Sequence, residues 1–240
     1  MKSAFGFLSV FGRASTPTPN SFVWFPLVGL VLGSLVGAVW WGSERLWPPM
    51  VAAIVTVLVD LAVTGLLHFD GLADTGDGLL APMSRERRLD AMSDPAVGAF
   101  GVVSVVVVVL ARFAALASAQ PSVLAIAGLW CASRTSMVLI TMILPYARST
   151  GIVHAFLETS PSRTRRAVSR ASVVVGLGVA VAMLSIARPG RGLLALGAAL
   201  TGSAMVAVLS RRRLGGYTGD VLGASGVVGE TVGLLVWALR

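Results

Sequence analysis

Long apolar runs alternate with short polar connections along the whole chain, and that pattern leaves almost no room for a water-soluble core. Seven runs stand at about 22–41, 50–67, 98–119, 122–144, 172–187, 192–209 and 221–238. Each approaches the roughly 20 residues that a helix needs to cross bilayer hydrocarbon. Backbone groups in lipid must be satisfied within their own segment, so the runs are expected to be helices. Only 12% of the 240 residues are charged, against about 25% in ordinary soluble domains. The expected fold is all-α: a polytopic membrane bundle of about seven transmembrane helices, forming one domain over residues 1–240. Runs 172–187 and 192–209 are short, and their spans are expected either to tilt little or to extend into the flanks. Gln120-Pro121 reads as a tight turn, with proline suited to a helix's first turn.

Loop charges predict orientation. Of the nineteen Lys and Arg residues, thirteen (from Lys2 and Arg13 to Arg211, Arg212 and Arg213) fall on the side of the N-terminus. Four (Arg45, Arg188, Arg191 and Arg240) fall on the other, while Arg112 and Arg134 lie inside runs. The positive-inside rule then puts the N-terminus in the cytoplasm and the protein in the cell (plasma or inner) membrane as a multi-pass species. Met1 to Asn20 lacks the apolar stretch and cleavage site of a removable signal. The net charge of +8 is dispersed and not interleaved with aromatics, which argues against nucleic acid as a partner. Cys131 is the single cysteine, so no disulfide forms within the chain, and it reads as a small buried hydrophobe. Gly29, Gly33 and Gly37 repeat every four residues, a spacing for close helix packing in this chain or, less simply, in a homo-oligomer.

Against this background the stretch His68-Phe-Asp-Gly-Leu-Ala-Asp-Thr-Gly-Asp-Gly is out of place. Asp70, Asp74 and Asp77 are spaced i, i+4, i+7 and share one face of a helix. Carboxylates so gathered repel one another unless protonated or bound to a cation. Oxygen donors without cysteine suit a hard ion such as Mg²⁺. His68 could serve as a general base or orient Asp70 or Asp74.

Asp60, Arg112, Arg134 and Glu230 fall within the runs, where ionisable groups are costly and functional by default. Asp60 reads mainly as a partner for Arg112 or Arg134, and Arg112 as a structural counter-ion. Arg134 could instead grip phosphate with two parallel hydrogen bonds. A second constellation, Leu214-Gly-Gly-Tyr-Thr-Gly-Asp-Val-Leu-Gly, puts Gly215, Gly216, Thr218 and Gly219 before Asp220, with amides able to face an anion. Asp220 and Glu230 could lie along one side of the last helix. Asp94-Pro95 reads either as a helix start, with Asp as N-cap, or as a further metal ligand. Arg85, Arg87 and Arg88 read as a solvated loop, and His154 has no motif around it. Carboxylates, bared backbone and a few arginines suggest metal-assisted phosphoryl chemistry. A transporter would spread its acids near the bilayer midplane rather than gather them at one interface.

These segments resemble, in order, those of the cobalamin synthase family (cobalamin-5′-phosphate synthases, or adenosylcobinamide-GDP ribazoletransferases). The resemblance rests on the His68–Gly78 block, Arg88-Leu-Asp-Ala-Met-Ser-Asp-Pro-Ala-Val-Gly-Ala-Phe-Gly, Ser133-Arg134 with Tyr146-Ala-Arg148, and Leu214–Gly223 with Glu230. The N-terminal element of that family is only loosely kept, as Gly12-Arg13 and Pro17–Pro19. The resemblance implies an enzyme that joins adenosylcobinamide-GDP to α-ribazole or its 5′-phosphate and releases GMP, with Mg²⁺ as cofactor. It implies a metal shell drawn from Asp70, Asp74, Asp77, Asp94, Asp220 and Glu230, phosphate contacts from Arg134 and Arg148, and substrate contacts from Gly215, Gly216, Thr218 and Gly219. A carboxylate or His68 would take the proton, on the cytoplasmic side. The CDP-alcohol phosphotransferases are a poorer match, because Leu-Ala-Asp follows Asp70-Gly71 where that family wants Ala-Arg.

Overall fold

A computed structural model describes residues 1–11, 21–148 and 163–239, of which 163–165 are described for backbone only. Arg13, Pro17–Pro19 and His154 lie outside the described residues. The helices in chain order are α1 (Lys2–Leu8), α2 (Phe25–Ser43), α3 (Pro49–Val63), α4 (Leu67–Leu80), α5 (Arg85–Ala91), α6 (Ala99–Ser118), α7 (Val123–Ile143), α8 (Arg163–Ala187), α9 (Arg191–Leu214) and α10 (Gly219–Trp237). No strand occurs among the described residues; Tyr146 and Tyr217 form one isolated parallel bridge.

Among the described residues six helices are long and apolar enough to cross a membrane, or seven with the bent pair α3 and α4. The all-α membrane bundle expected from the runs is therefore present. The second run departs from expectation. It ends at Val63, the backbone turns through Gly65 (φ +58°) and Leu66 (φ +61°), and α4 leaves at 89° to α3. Fifteen residues rise about 22 Å, short of the roughly 30 Å of hydrocarbon. The two short runs extend into their flanks, one of the two expected outcomes: their basic flanks continue the helix and give α8 and α9 25 and 24 residues.

Chain direction alternates. Val10 N–H donates to Val63 O at 3.0 Å, which brings the end of α3 back to the end where α2 begins. The α2 glycines lie against α7, running the other way. A Cβ at Gly33 would meet the Ala127 Cα at 2.9 Å, and one at Gly37 the Val123 Cα at 2.9 Å. The stripe is thus consumed within the chain. Val102, Val103, Val106, Val107 and Leu110 on α6 are 48–59% exposed, a face suited to lipid.

The middle of the bundle holds a charge-balanced cluster. Arg112 on α6 pairs with Asp60 on α3 and, at 2.5 Å, with Glu230 on α10; Arg134 on α7 also pairs with Glu230. Trp130 Nε1 donates to Asp60 at 3.1 Å, Ser133 Oγ donates to Glu230 at 2.8 Å, and Arg112 Nε donates to Thr231 at 2.9 Å. Two guanidinium and two carboxylate groups, all almost fully buried, lock four helices together without net charge.

Candidate active site

At the end of the bundle where α2, α6 and α10 begin and α7 and α9 finish, α4 lies across their tips. Two glycines bring it close. A Cβ at Gly71 would meet the Asp220 carbonyl oxygen at 2.8 Å, and one at Gly76 the Phe100 carbonyl at 3.0 Å. The α4 backbone is thereby pressed on the first turns of α10 and α6, and its acids reach both. Asp70 is exposed, while Asp74 and Asp77 are half-buried.

Asp74 is pushed up to about 7, first by burial and then by Asp220 and Asp70, against the pull of Arg148. Its neighbours identify the acids that share this surface: Asp70, Asp74, Asp77 and Asp220. Arg148, in the segment leaving α7, approaches Asp220 at 3.5 Å and donates to Ser93 Oγ at 2.8 Å and Met92 O at 3.2 Å. Thr218 is the N-cap of α10, accepting from Val221 N–H at 3.2 Å, and its hydroxyl lies 3.2 Å from Asp220 Oδ2.

A cavity of about 400 Å³ opens beside these groups, lined by His68, Asp70, Tyr146, Arg148, Gly219 and Asp220 together with apolar side chains of α1, α2, α7 and α10. His68 is 3% exposed and its Nδ1 has no partner. Burial, followed by the nearby Arg134 and Arg112, holds its imidazole well below its usual range, so it is a neutral ring.

Several expected site residues take other posts. Asp77 accepts from Gly98 N–H at 2.7 Å and Gly101 N–H at 2.9 Å; it caps α6 from another helix, since Gly98 has no side chain with which to do so. The expected cap, Asp94, stands four residues earlier, exposed, closing a local turn with Ala96 N–H at 2.9 Å. Pro95 therefore does not start a helix. Glu230 follows Asp220 by ten residues, about 15 Å along α10, and sits in the buried cluster rather than with the surface acids. Arg134 is beside it, 1% exposed, and its guanidinium serves Glu230 and Ser133 instead of a phosphate.

Gly215 (φ +79°) ends α9. Gly216 is buried against the Pro145 carbonyl, whose oxygen accepts from Tyr217 N–H at 2.9 Å. Both build the turn, whereas Gly219 has open space around it and faces the cavity. Arg85 and Arg88 are clamps rather than solvated loop. Arg85 donates to Leu214 O at 2.7 Å and Ala147 O at 2.9 Å, and Arg88 to Gly78 O at 2.7 Å. The apolar cavity wall was not anticipated; its only sequence signal is the clustering of Phe5, Phe7, Phe22 and Phe25 before the first span.

Among the described residues no three acidic, imidazole or thiol side chains stand together as a finished metal-ligand set. The donors still fit Mg²⁺, which is ordinarily held by one or two carboxylates, waters and substrate phosphates rather than by an all-protein cage. Burial, and after it the neighbouring carboxylates Asp220 and Asp70, raise Asp74 to about 7, and a bound cation would relieve both the lost solvation and the repulsion.

The sequence pattern of the family described as cobalamin-5-phosphate synthase matches residues 1–238. The adenosylcobinamide-GDP ribazoletransferase of Chlorobium phaeovibrioides is 35% identical over 232 residues, covering 95% of this chain and 90% of the relative. The protein of the same name from Escherichia coli O17:K52:H18 is 34% identical over 221 residues, covering 90% and 86%. No solved structure matches the chain.

Proposed function

The chain belongs to the cobalamin-5-phosphate synthase family, and we propose on that premise that it joins adenosylcobinamide-GDP to ribazole and releases GMP at the α4 surface. A ribose hydroxyl of ribazole attacks the cobinamide-linked phosphorus, a new P–O bond forms, the bond to the GMP phosphate breaks, and the hydroxyl proton leaves. The observation that carries this reading is the convergence of Asp70, Asp74, Asp220 and Arg148 from three separate segments beside one cavity.

Mg²⁺ held by one or two of the carboxylates Asp70, Asp74 and Asp220 together with the substrate's phosphates would neutralise the diphosphate oxygens and ease departure of GMP. Arg148 is tethered by Ser93 and Met92 and can turn its guanidinium to the anion. Asp70, exposed at the cavity mouth, is the proton acceptor we assign. His68 is a poor acceptor, because burial and, after it, the nearby guanidinium groups of Arg134 and Arg112 disfavour its charged form; its neutral ring instead hydrogen-bonds and orients the nucleoside. Asp77 sets the start of α6 and stands behind the cation ligands. Basic residues crowd this end of the bundle, which supports a cytoplasmic placement for it.

Purified protein supplied with adenosylcobinamide-GDP, α-ribazole and Mg²⁺ is expected to release GMP, and EDTA to stop it. GMP release undiminished in EDTA would remove the cation from the proposal. No release under any metal would remove the reaction.

A further inference from the structure

The cavity beside the acids is lined by two unlike kinds of side chain. Asp70, Asp220 and Arg148 are charged; Phe7 and Leu8 of α1, Phe22 and Phe25 at the entry to α2, Met137 of α7 and Leu222 of α10 are apolar. Phe7 and Phe25 stack with ring centroids 6.1 Å apart, and Phe22 leans on Phe25 at 4.9 Å. Leu8, Phe25 and Met137 are about 1% exposed, so the floor is rigidly packed. His68 lines the same cavity, 3% exposed, with its Nδ1 unpartnered. A buried polar atom without a partner is costly, and beside a cavity it marks where a ligand atom belongs.

Resting on the function proposed above, we propose that these apolar side chains form the subsite for the heterocyclic base of ribazole, to which the N-terminal helix α1 contributes Phe7 and Leu8. Ribazole is the riboside of a benzimidazole, a flat aromatic whose outer edge carries no hydrogen-bonding group. An apolar wall of phenylalanine, leucine and methionine fits that edge. It does not fit the guanine of the other substrate, whose edge holds an amide and an amino group that would be left unpaired. A cavity of about 400 Å³ is near the lower end of small-ligand pockets; it admits a nucleoside and not a corrin. With the base against the apolar side chains, the ribose meets His68 and Gly219, and its hydroxyls point toward Asp70. The substrate's own polarity thus matches the mixed lining of the cavity.

The same placement makes this wall a determinant of which base is accepted. A purine base brings ring nitrogens and an amino group against phenylalanine and leucine and loses its water there.

The test begins with GMP release by the unaltered protein, which checks the reaction itself. Phe7→Ala and Phe22→Ala are then expected to raise KM for α-ribazole about tenfold and to leave KM for adenosylcobinamide-GDP within about twofold. A rise in KM for adenosylcobinamide-GDP instead, or no change in either, overturns the assignment while the reaction stands. Should these variants not fold in detergent, the unaltered enzyme answers alone. Ring-methylated benzimidazole ribosides are expected to show a lower KM than the unmethylated one by several-fold per buried methyl, and the α-riboside of adenine a higher one. Equal use of adenine and benzimidazole ribosides overturns the proposal.

Discussion

At the scale of single residues, carboxylates less than one turn apart on one helix do different work. Asp74 is held among three other acids with its carboxyl pushed up to about 7, whereas Asp77 is spent on two backbone amides of α6. The two are therefore separable by mutation. Asp74→Asn keeps size and shape and removes a cation ligand. GMP release is expected to fall at least about 100-fold, the upper range for loss of even a supporting metal contact, with thermal unfolding unchanged. Near-normal turnover in Asp74→Asn would take the cation site away from α4. Asp77→Ala strips the cap from a helix that has no other. Its unfolding free energy is expected to drop by about 1–2 kcal/mol, measured by denaturant titration in detergent micelles. The i, i+4, i+7 spacing shows that these acids share a face. It cannot show that one of them is claimed by the amides of Gly98 and Gly101, because that depends on where α6 begins in space.

At the scale of helices, the buried cluster explains why Glu230 and Arg134 looked like site residues. In a sequence, an ionisable group inside an apolar run announces only that it must have a partner. It does not say whether the partner is a ligand or another helix. Here Asp60, Arg112, Arg134 and Glu230 satisfy one another, 15 Å or so along α10 from Asp220 by helical rise. Glu230→Ala leaves two guanidinium groups in the core with one carboxylate between them. A loss of about 3–5 kcal/mol is expected, read as a lower midpoint of thermal unfolding. An unshifted midpoint would mean that water or lipid headgroups already reach the cluster. Most of the helices were legible because their apolar runs have the length of a span. The right-angle turn before α4 was not, since Thr64-Gly-Leu-Leu continues the apolar run without a break and only the left-handed backbone at Gly65 and Leu66 ends it. The α2 glycine stripe was legible as close packing, and α7 is its partner. Gly33→Leu drives a side chain into the Ala127 Cα, so the bundle is expected to lose folded yield in membranes while Gly42→Leu, with open space around it, does not.

For the whole molecule, chain direction and charge distribution lead to one statement about sidedness. The end that holds α4, the cavity and Arg148 also holds Lys2, Arg85, Arg87, Arg88, Arg211, Arg212 and Arg213. The opposite end, among the described residues, has Arg45, Arg188 and Arg191. Membrane insertion keeps the more basic loops in the cytoplasm, the compartment where nucleotide-activated substrates are made. The sole cysteine, Cys131, is buried, so single introduced thiols can report this without background. Leu46, 73% exposed in the connection between α2 and α3, lies at the far end; Arg87, exposed on α5, lies at the site end. In intact cells a membrane-impermeant maleimide is expected to label Leu46→Cys and to spare Arg87→Cys until the membrane is opened. Inverted vesicles should exchange the two results. The reverse pattern in both preparations would turn the acid surface away from the cytoplasm, and GMP would then have to be released on the side of the membrane opposite to the pool that recycles it.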